Sequence, residues 1–303
     1  MRRIELPHIF ITETLTYLAL GVCVYFVFLW PLHTVLLTLL AILLATRGVA
    51  TLLLFAIAWR NRAARPPEMR IGPLRTLRLV LGEYLAILLC YTIFLPLEPL
   101  LIRRSARVID GTPILLVHGF LCNGGFWWFL MRRLQKQGIR NLHTINLSPV
   151  FGSINLFAKQ VESRVDAILE QSGAEQVILL GHSMGGLASR AYVQHCGGAD
   201  KVAKIITLGT PHHGTRHAKM LHGDNVQQMS RTDAWLATLN QDEDKPFPVP
   251  ITSIYSYHDN IVAPQDSSHL ANANNIALAG LGHCTMAISG RIEALLLKEL
   301  AEG

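Results

Sequence analysis

Residues 178–187, ILLGHSMGGL, decide the fold that the sequence predicts. An apolar, strand-like run ends at Gly181, and a run compatible with a helix begins at Gly186. Between them, Ser183 stands at the centre of the pattern G-x-S-x-G. Glycines two positions before and after the serine keep side chains out of a strained strand-to-helix turn, which leaves the hydroxyl exposed. The pattern therefore predicts a nucleophilic serine; the alternative is a serine in an ordinary β–α turn.

Candidate strands and helices alternate on both sides of this turn. The candidate strands are residues 113–117, 142–147, 176–180, 204–208, 251–257 and 274–279. The candidate helices are residues 126–137, the stretch that ends at Gly173, the stretch from the turn to Gly197, and residues 289–301. This alternation is typical of a mainly parallel sheet with helices on both faces. We therefore predict an α/β fold over residues 108–303, an α/β-hydrolase with a sheet of about six strands.

Two acid–base candidates follow the serine along the chain. Asp259 comes after the fifth candidate strand and His283 after the sixth, so Ser183, Asp259 and His283 have the chain order of this fold's catalytic triad. In that arrangement His283 takes the serine proton as general base, and Asp259 holds the imidazole tautomer and stabilises the imidazolium. Asp266 is the competing acid, whereas Asp224 precedes the expected strand.

An oxyanion hole needs two backbone N–H groups beside the nucleophile. We expect one from Met184, the residue after Ser183, and one from Phe120 in the loop after the first strand. His118 is predicted to shape that loop. Cys122 and Cys284 border the site in sequence, and a nucleophilic role is not expected for either.

Four separated motifs carry a resemblance to a known family. They are residues 117–120 (VHGF), 181–187 (GHSMGGL), 207–214 (TLGTPHHG) and 282–283 (GH). In combination they resemble bacterial triacylglycerol lipases and esterases of the α/β-hydrolase fold, over most of residues 112–300. The resemblance implies hydrolysis of lipid or other carboxylic esters through an acyl-enzyme on Ser183, without a cofactor.

The chain departs from this family in three places. About thirty-five residues separate Gly214 from Pro250, enough for a small cap over residues 215–250. The apolar side chains of this segment either line an acyl-chain pocket or pack two short helices onto the sheet. His283 is followed by Cys284-Thr285-Met286, where the larger secreted lipases place a calcium-ligating aspartate, and His212 and His213 have no evident metal-ligand companions, so no metal is expected. The N-terminal third has no counterpart in the family.

Composition sets that N-terminal third apart. Half of the 303 residues are hydrophobic and only 16% are charged, which is more apolar than a typical soluble enzyme. Residues 1–107 carry 12 Lys and Arg against 5 Asp and Glu, whereas residues 108–303 carry 15 against 16. The basic residues flank apolar runs and are not interleaved with aromatic residues, a pattern that indicates membrane topology and argues against nucleic-acid binding.

We predict three membrane segments in residues 1–107, at 14–30, 35–59 and 79–102. Arg2 and Arg3 precede the first, and six arginines lie between the second and the third. By the positive-inside rule, the N-terminus and the arginine-rich loop lie in the cytoplasm. The sequence thus predicts a multi-pass protein of the bacterial inner membrane. Three spans would then put the catalytic domain in the periplasm. If the third segment does not span, the domain is cytoplasmic, and this alternative accommodates Arg103, Arg104 and Arg107 better.

Charges and cysteines leave further questions open. Arg47 and Glu83 lie inside apolar runs, where a charge marks either a functional site or a structural ion pair between spans; for Glu83, snorkelling to the membrane interface is a further alternative. Five cysteines without a close C-x-x-C pair predict neither a disulfide framework nor a zinc site, although one disulfide among the last three stays open.

Two other functions use the same residues. An acyltransferase or thioesterase would employ the same triad with another acceptor or leaving group. A non-catalytic, hydrolase-like membrane protein would use the domain for binding, and an intact triad argues against it.

Overall fold

A computed structural model describes residues 4–102 and 111–301, which form an N-terminal helical region and an α/β domain. The boundary predicted between residues 107 and 108 lies outside the described residues, as do Arg2, Arg3, Arg103, Arg104 and Arg107.

Three long helices form most of the N-terminal region. They are α1 (Leu6–Phe28), α2 (Leu32–Arg60) and α3 (Pro73–Leu89), which continues as a π-helical turn (Cys90–Phe94). The segments Leu6–Val27, Leu32–Arg60 and Pro73–Phe94 are each long and apolar enough to cross a membrane. A short helix, α4 (Glu98–Leu101), follows them.

Helix α1 begins eight residues before the predicted segment 14–30 because its polar residues are accommodated. The hydroxyls of Thr12 and Thr16 donate to backbone carbonyls four residues earlier, and Glu13 forms an ion pair with Arg47 of α2. A continuous apolar run was therefore too strict a criterion for the start of this helix.

The open end of the α1–α2 hairpin lies on the α/β domain. At the start of α1, the backbone N–H of Val150 donates to the carbonyl of Ile4 at 3.0 Å. After the end of α2, the backbone N–H of Ala63 donates to the side chain of Gln265 at 3.1 Å, and Arg65 Nε donates to the carbonyl of Tyr257 at 2.9 Å. The turn between the two helices therefore lies roughly 35–40 Å away along the hairpin, given 1.5 Å of rise per residue over helices of 23 and 29 residues.

Helix α3 lies along the α/β domain with two distinct faces. Its buried residues are Leu79, Glu83, Ala86 and Ile87. Its exposed leucines, each more than half exposed, are Leu74, Leu77, Leu81 and Leu85. The sequence predicted the third membrane segment at residues 79–102 and left open whether it spans. The helix begins earlier, at Pro73, and its second half has one buried face.

Six parallel strands form one sheet in the order β2-β1-β3-β4-β5-β6. They are β1 (Ile114–Val117), β2 (Leu142–Ile145), β3 (Val177–His182), β4 (Val202–Leu208), β5 (Ile251–Ser256) and β6 (Asn274–Leu278). All six predicted strands are confirmed, each end within two residues. Continuous apolar runs made them recognisable, because strands of a parallel sheet are buried on both faces.

Helices cover both faces of the sheet. The long helices of the domain are α5 (Trp128–Lys136), α6 (Ile154–Ser172), α7 (Met184–His195) and α10 (Gly290–Ala301). Leu115 and Leu179 pack in one apolar cluster with residues of α6 and α7, whereas Leu116 and Leu180 pack in a second with residues of α5 and α10. Side chains that alternate along each strand therefore feed two separate cores.

The second core is shared with the N-terminal region. It contains Cys90, Phe94, Leu95 and Ile102 together with buried residues of the α/β domain, among them Trp127. The two parts of the chain are thus joined by a common hydrophobic core, although their compositions differ.

The segment 215–250 contains two short helices, α8 (Asp224–Gln228) and α9 (Ala234–Leu239). Val226, Met229, Leu236 and Leu239 are buried in the first core, which is the packing alternative from the sequence analysis. Met220 and Leu221 are more than half exposed, so an acyl-binding role stays a prediction for these two residues.

Candidate active site

Ser183 occupies the strained turn that the G-x-S-x-G pattern predicts. It follows β3 directly and precedes the first residue of α7, with φ 53° and ψ −126°. A Cβ atom on Gly185 would lie 2.1 Å from the carbonyl oxygen of Val117, and one on Gly181 would lie 2.6 Å from the backbone nitrogen of Gly186. Both positions flanking the serine therefore exclude any side chain, because these distances are far below van der Waals contact.

Asp259 and His283 form a buried pair after β5 and β6. Oδ2 of Asp259 lies 2.7 Å from Nδ1 of His283, and both side chains are at most 4% exposed. The other carboxylate oxygen of Asp259 accepts backbone N–H groups from Ile261 and Val262 at 2.7 and 2.8 Å. These bonds fix the carboxylate, which in turn selects the His283 tautomer that leaves Nε2 free to accept a proton.

The surroundings of His283 favour its charged form. Burial disfavours an imidazolium, but the carboxylate of Asp259 and, more weakly, that of Glu83 outweigh burial and raise the pKa of His283 above its ordinary value. Next to it, burial and the proximity of His283 hold the pKa of His182 well below its ordinary value. His182 is therefore neutral, and its Nε2–H donates to the carbonyl oxygen of His283 at 3.1 Å.

Ser183 and His283 both lie beside His182. A Cβ atom on Gly119 would lie 2.9 Å from Cβ of Ser183 and 3.3 Å from Nδ1 of His182, whose ring centroid is 4.4 Å from that of His283. Within the described residues no hydrogen bond joins Ser183 to His283. Such bonds are often long in a free enzyme and tighten when substrate binds.

The structure separates the competing acids from this pair. Asp266 is exposed in the loop after β5, and Asp224 is exposed at the start of α8. Asp259 is the carboxylate that contacts Nδ1 of His283.

The loop after β1 lies against the serine turn where an oxyanion hole is predicted. His118 Nε2 accepts the backbone N–H of Leu147 at 3.0 Å, so its protonated Nδ1 donates to the carbonyl of Gly119 at 2.8 Å. Burial lowers the pKa of His118 to about 4, which keeps this neutral tautomer at physiological pH. His118 therefore holds the loop that carries Phe120.

On the other side of the site, Met184 is the first residue of α7, where backbone N–H groups have no partner within the helix. The assignment of Phe120 and Met184 to the oxyanion hole stays a prediction.

The cysteines beside the site are poor nucleophiles. Burial raises the pKa of Cys122 to about 12 and that of Cys284 well above its ordinary value, so both are protonated thiols at physiological pH. All five cysteines of the chain are free, which answers the open question of a disulfide.

His212 and His213 have structural contacts. His212 is fully buried between Arg190 and Thr207, with its ring nitrogens 3.3 and 3.2 Å from their side chains. Nε2 of His213 lies 2.6 Å from the carboxylate of Glu243. Among the described residues no group of three His, Cys, Asp or Glu side chains is arranged to hold a metal ion.

Sequence reasoning missed the contacts of Glu83. The open alternative of an ion pair between spans is correct for Arg47, but its partner is Glu13. The carboxylate of Glu83 instead accepts hydrogen bonds from Cys284 and Thr285, directly after His283. About two hundred residues separate these groups, and a lone carboxylate in an apolar run gives no signal of a distant partner.

Comparison with known proteins covers the α/β domain. A family model described as the alpha/beta hydrolase fold matches residues 112–243, which include Ser183 and end before Asp259 and His283. A triacylglycerol lipase of Burkholderia plantarii is 35% identical over 144 residues, 45% of this chain and 38% of that protein. A pimeloyl-[acyl-carrier protein] methyl ester esterase of Vibrio vulnificus is 31% identical over 101 residues, 33% of this chain and 38% of that protein. The chain thus spans less than two fifths of these relatives' lengths.

Solved structures are similar over a larger part of the chain. The mature form of a Bacillus licheniformis lipase has a TM-score of 0.55 at 19% identity, covering 62% of this chain and 91% of that one. Lipase B of Aspergillus fumigatus has a TM-score of 0.58 at 20% identity, covering 63% of this chain and 52% of that one. At this level of identity the likeness concerns the fold, and with the family match it identifies the chain as an α/β-hydrolase-fold protein that resembles lipases and esterases.

Proposed function

We propose that this protein is a membrane-anchored serine hydrolase of carboxylic esters, with Ser183 as nucleophile, His283 as general base and Asp259 as the group that orients the imidazole. One observation carries the proposal. A strained serine turn at the end of the central strand stands beside a buried carboxylate–imidazole pair with a 2.7 Å contact. A purely structural serine requires neither the strain nor the pair.

The reaction proceeds in two halves. Ser183 Oγ attacks the ester carbonyl while Nε2 of His283 takes its proton, and the backbone N–H groups of Phe120 and Met184 stabilise the resulting oxyanion. The imidazolium then gives its proton to the departing alcohol, which leaves an acyl group on Ser183. Water, deprotonated by His283, attacks this acyl-enzyme and releases the acid and the free serine.

We infer that the substrates are lipid acyl esters. The helices beside the site expose large apolar side chains, including the leucines of α3, and so would place the α/β domain next to hydrocarbon. Related proteins include triacylglycerol lipases. An ester drawn from the bilayer would reach such a site without crossing water.

The contacts of the helices support a specific membrane topology. The residues before α1 and after α2 both contact the α/β domain, and α3 lies along that domain. We therefore propose that α1 and α2 insert as a hairpin and that α3 lies at the membrane surface. The N-terminus, the arginine-rich loop and the catalytic domain then share one side, which the positive-inside rule makes cytoplasmic. This replaces the periplasmic placement that three spans would give.

The test of the activity compares wild-type protein with Ser183→Ala, both purified in detergent, on p-nitrophenyl esters of increasing acyl length. We expect the wild-type protein to hydrolyse these esters and to be labelled by a fluorophosphonate probe. Ser183→Ala should show neither hydrolysis nor labelling. A wild-type protein that neither hydrolyses these esters nor takes the probe would overturn the proposal in favour of a binding role. Ester products formed with added alcohol acceptors would instead indicate an acyltransferase that uses the same triad.

A further inference from the structure

Glu83 brings a carboxylate from helix α3 into the α/β domain. Its side chain is fully buried, and its two oxygens accept the backbone N–H of Cys284 at 2.8 Å, the backbone N–H of Thr285 at 2.9 Å and the hydroxyl of Thr285 at 2.6 Å. Burial raises the pKa of the Glu83 carboxyl, whereas these three donors oppose that effect and favour the ionised form, which offers only acceptors. An amide at the same position would present an NH₂ group to one of these donors.

The carboxylate touches the backbone on both sides of His283. Cys284 and Thr285 follow the histidine, and a Cβ atom on the preceding residue, Gly282, would lie 2.3 Å from Oε2 of Glu83. Glycine at position 282 therefore makes room for the carboxylate. The chain cannot shift at this point without breaking the hydrogen bonds or colliding with the Glu83 side chain.

The remaining contacts of His283 come from the α/β domain. Its backbone N–H donates to Asn260 at 2.9 Å, its carbonyl accepts from His182 at 3.1 Å and its ring contacts Asp259 at 2.7 Å. These bonds hold the histidine, while Glu83 holds the two residues that follow it. The position of His283 is thus fixed jointly by the domain and by α3.

Helix α3 is itself held in place by apolar packing. Ala86 and Ile87 are buried with Cys284 in one cluster, against which Leu54 of α2 packs. The loop of His283 is therefore connected through α3 to the membrane hairpin.

We propose that Glu83 is a positioning residue for catalysis, which holds the backbone after His283 so that the imidazole stays in reach of Ser183. This inference deepens the proposed function and rests on it. The catalytic geometry then depends on the seating of α3 against the α/β domain. The rival account is that Glu83 only attaches α3 to the domain, without affecting the chemical step.

The experiment uses the full chain in detergent and compares Glu83→Gln, Thr285→Val and the double variant. The control is Glu13→Gln, which removes another carboxylate of the helical region, one that pairs with Arg47 and does not contact the loop of His283. Each variant is assayed for kcat and KM on one soluble ester, per mole of monodisperse protein.

We expect kcat of Glu83→Gln to fall by about 10²-fold with KM within twofold, because displacement by about 1 Å can cost this much. Thr285→Val should lose less, and the double variant should lose no more than Glu83→Gln, because both changes break the same contact. Glu13→Gln should retain the wild-type kcat.

A second readout is the pH profile of kcat/KM. The ionisable groups around His283 are Asp259, Glu83, His182, His217 and Cys284. Since the charge of Glu83 helps to raise the pKa of His283, its removal should move the acidic limb to lower pH, whereas Thr285→Val should leave the limb in place. Because removal of this charge shifts the limb whether or not Glu83 positions the loop, kcat is compared on the plateau above the limb, where a purely structural attachment would leave it unchanged.

A wild-type kcat and a wild-type acidic limb in Glu83→Gln would overturn the inference, and so would an equal loss of kcat in Glu13→Gln. If Glu83→Gln does not accumulate as folded protein, Thr285→Val provides the test. A lower kcat with unchanged KM would support the positioning role, and an unaltered kcat would refute it. Failure of the proposed function would look different from failure of this inference. In that case the wild-type protein itself would show no hydrolysis that depends on Ser183.

Discussion

Nδ1 of His283 and Oδ2 of Asp259 lie 2.7 Å apart, in a site where both side chains are almost completely buried. The two residues lie in the loops that follow two neighbouring strands, His283 after the edge strand β6 and Asp259 after β5. Because the partner atoms are excluded from water, the contact selects a tautomer and would stabilise the imidazolium that forms in the proposed reaction.

Replacing Asp259 with Asn should lower kcat by about 10⁴-fold, because an amide favours the wrong imidazole tautomer. Steady-state hydrolysis of a p-nitrophenyl ester measures the effect. The matched control is Asp266→Asn, which changes an exposed aspartate seven residues further along and should leave kcat within twofold. Equal activity of Asp259→Asn and wild type would exclude Asp259 from the triad.

The pH dependence of kcat/KM should follow the ionisation of His283. Only neutral imidazole can take the serine proton, so activity is lost as the pH falls through the pKa of this residue. Its pKa is raised, mainly by Asp259 against the opposing effect of burial, so the acidic limb should lie above about 6.5, the value of an ordinary histidine. In Asp259→Asn the residual activity should show a limb at lower pH. A wild-type limb well below 6 would contradict this assignment.

The ion pair of Glu13 and Arg47 should stabilise the hairpin. Arg47→Leu would leave the Glu13 carboxylate without its partner in an apolar region, and we expect a cost on the order of 2 kcal/mol. Thermal unfolding in detergent measures it. The double variant Glu13→Leu/Arg47→Leu should recover much of the loss because it leaves no unpaired charge. Additive losses in the double variant would show that the pair contributes no coupling.

Membrane topology can be tested by reporter fusions in a Gram-negative cell. For a cytoplasmic α/β domain, we expect green fluorescent protein fused after residue 303 to fluoresce. Alkaline phosphatase fused at the same place should be inactive. Phosphatase fused after residue 31, in the turn of the α1–α2 hairpin, should be active. The reverse pattern at residue 303 would mean that α3 crosses the membrane, as the sequence alone indicates.

The exposed pair Met220 and Leu221 is the remaining candidate for acyl-chain contact. It lies next to Gly223, which packs on Phe151, and the ring of Phe151 is 5.8 Å from that of Phe120 in the predicted oxyanion loop. Leu221→Ser should lower kcat/KM about 10-fold for long-chain esters and leave short-chain esters unchanged, because it removes apolar contact area only. Leu100→Ser, at an exposed leucine of α4, is the control. Identical chain-length profiles would exclude this surface.

Local patterns predicted most of the α/β domain. Buried parallel strands produce apolar runs, and the turn at Ser183 admits only glycine at its flanking positions, so both leave clear marks in the sequence. Chain order then ranked Asp259 ahead of Asp266, and the contact with His283 agrees with that ranking.

Long-range contacts could not be predicted in this way. Glu83 looks like any isolated charge in an apolar run, and its partners, Cys284 and Thr285, carry no complementary feature because two of the three donors are backbone N–H groups. For the same reason, the sequence could not decide between a spanning and a non-spanning α3. Its leucines give the same hydropathy whether they meet lipid on both faces or protein on one.

The common core of the two halves limits how the protein can be divided. A fragment that starts at residue 111 would lack Cys90, Phe94 and Leu95, and would uncover Trp127 and its neighbours. It would also leave the backbone N–H groups of Cys284 and Thr285 without the carboxylate that they share. The α/β domain is therefore not expected to be an autonomous unit on an interchangeable anchor. Excising it for expression should yield an aggregating polypeptide without the proposed activity, and replacing its helices with a generic anchor should not restore it.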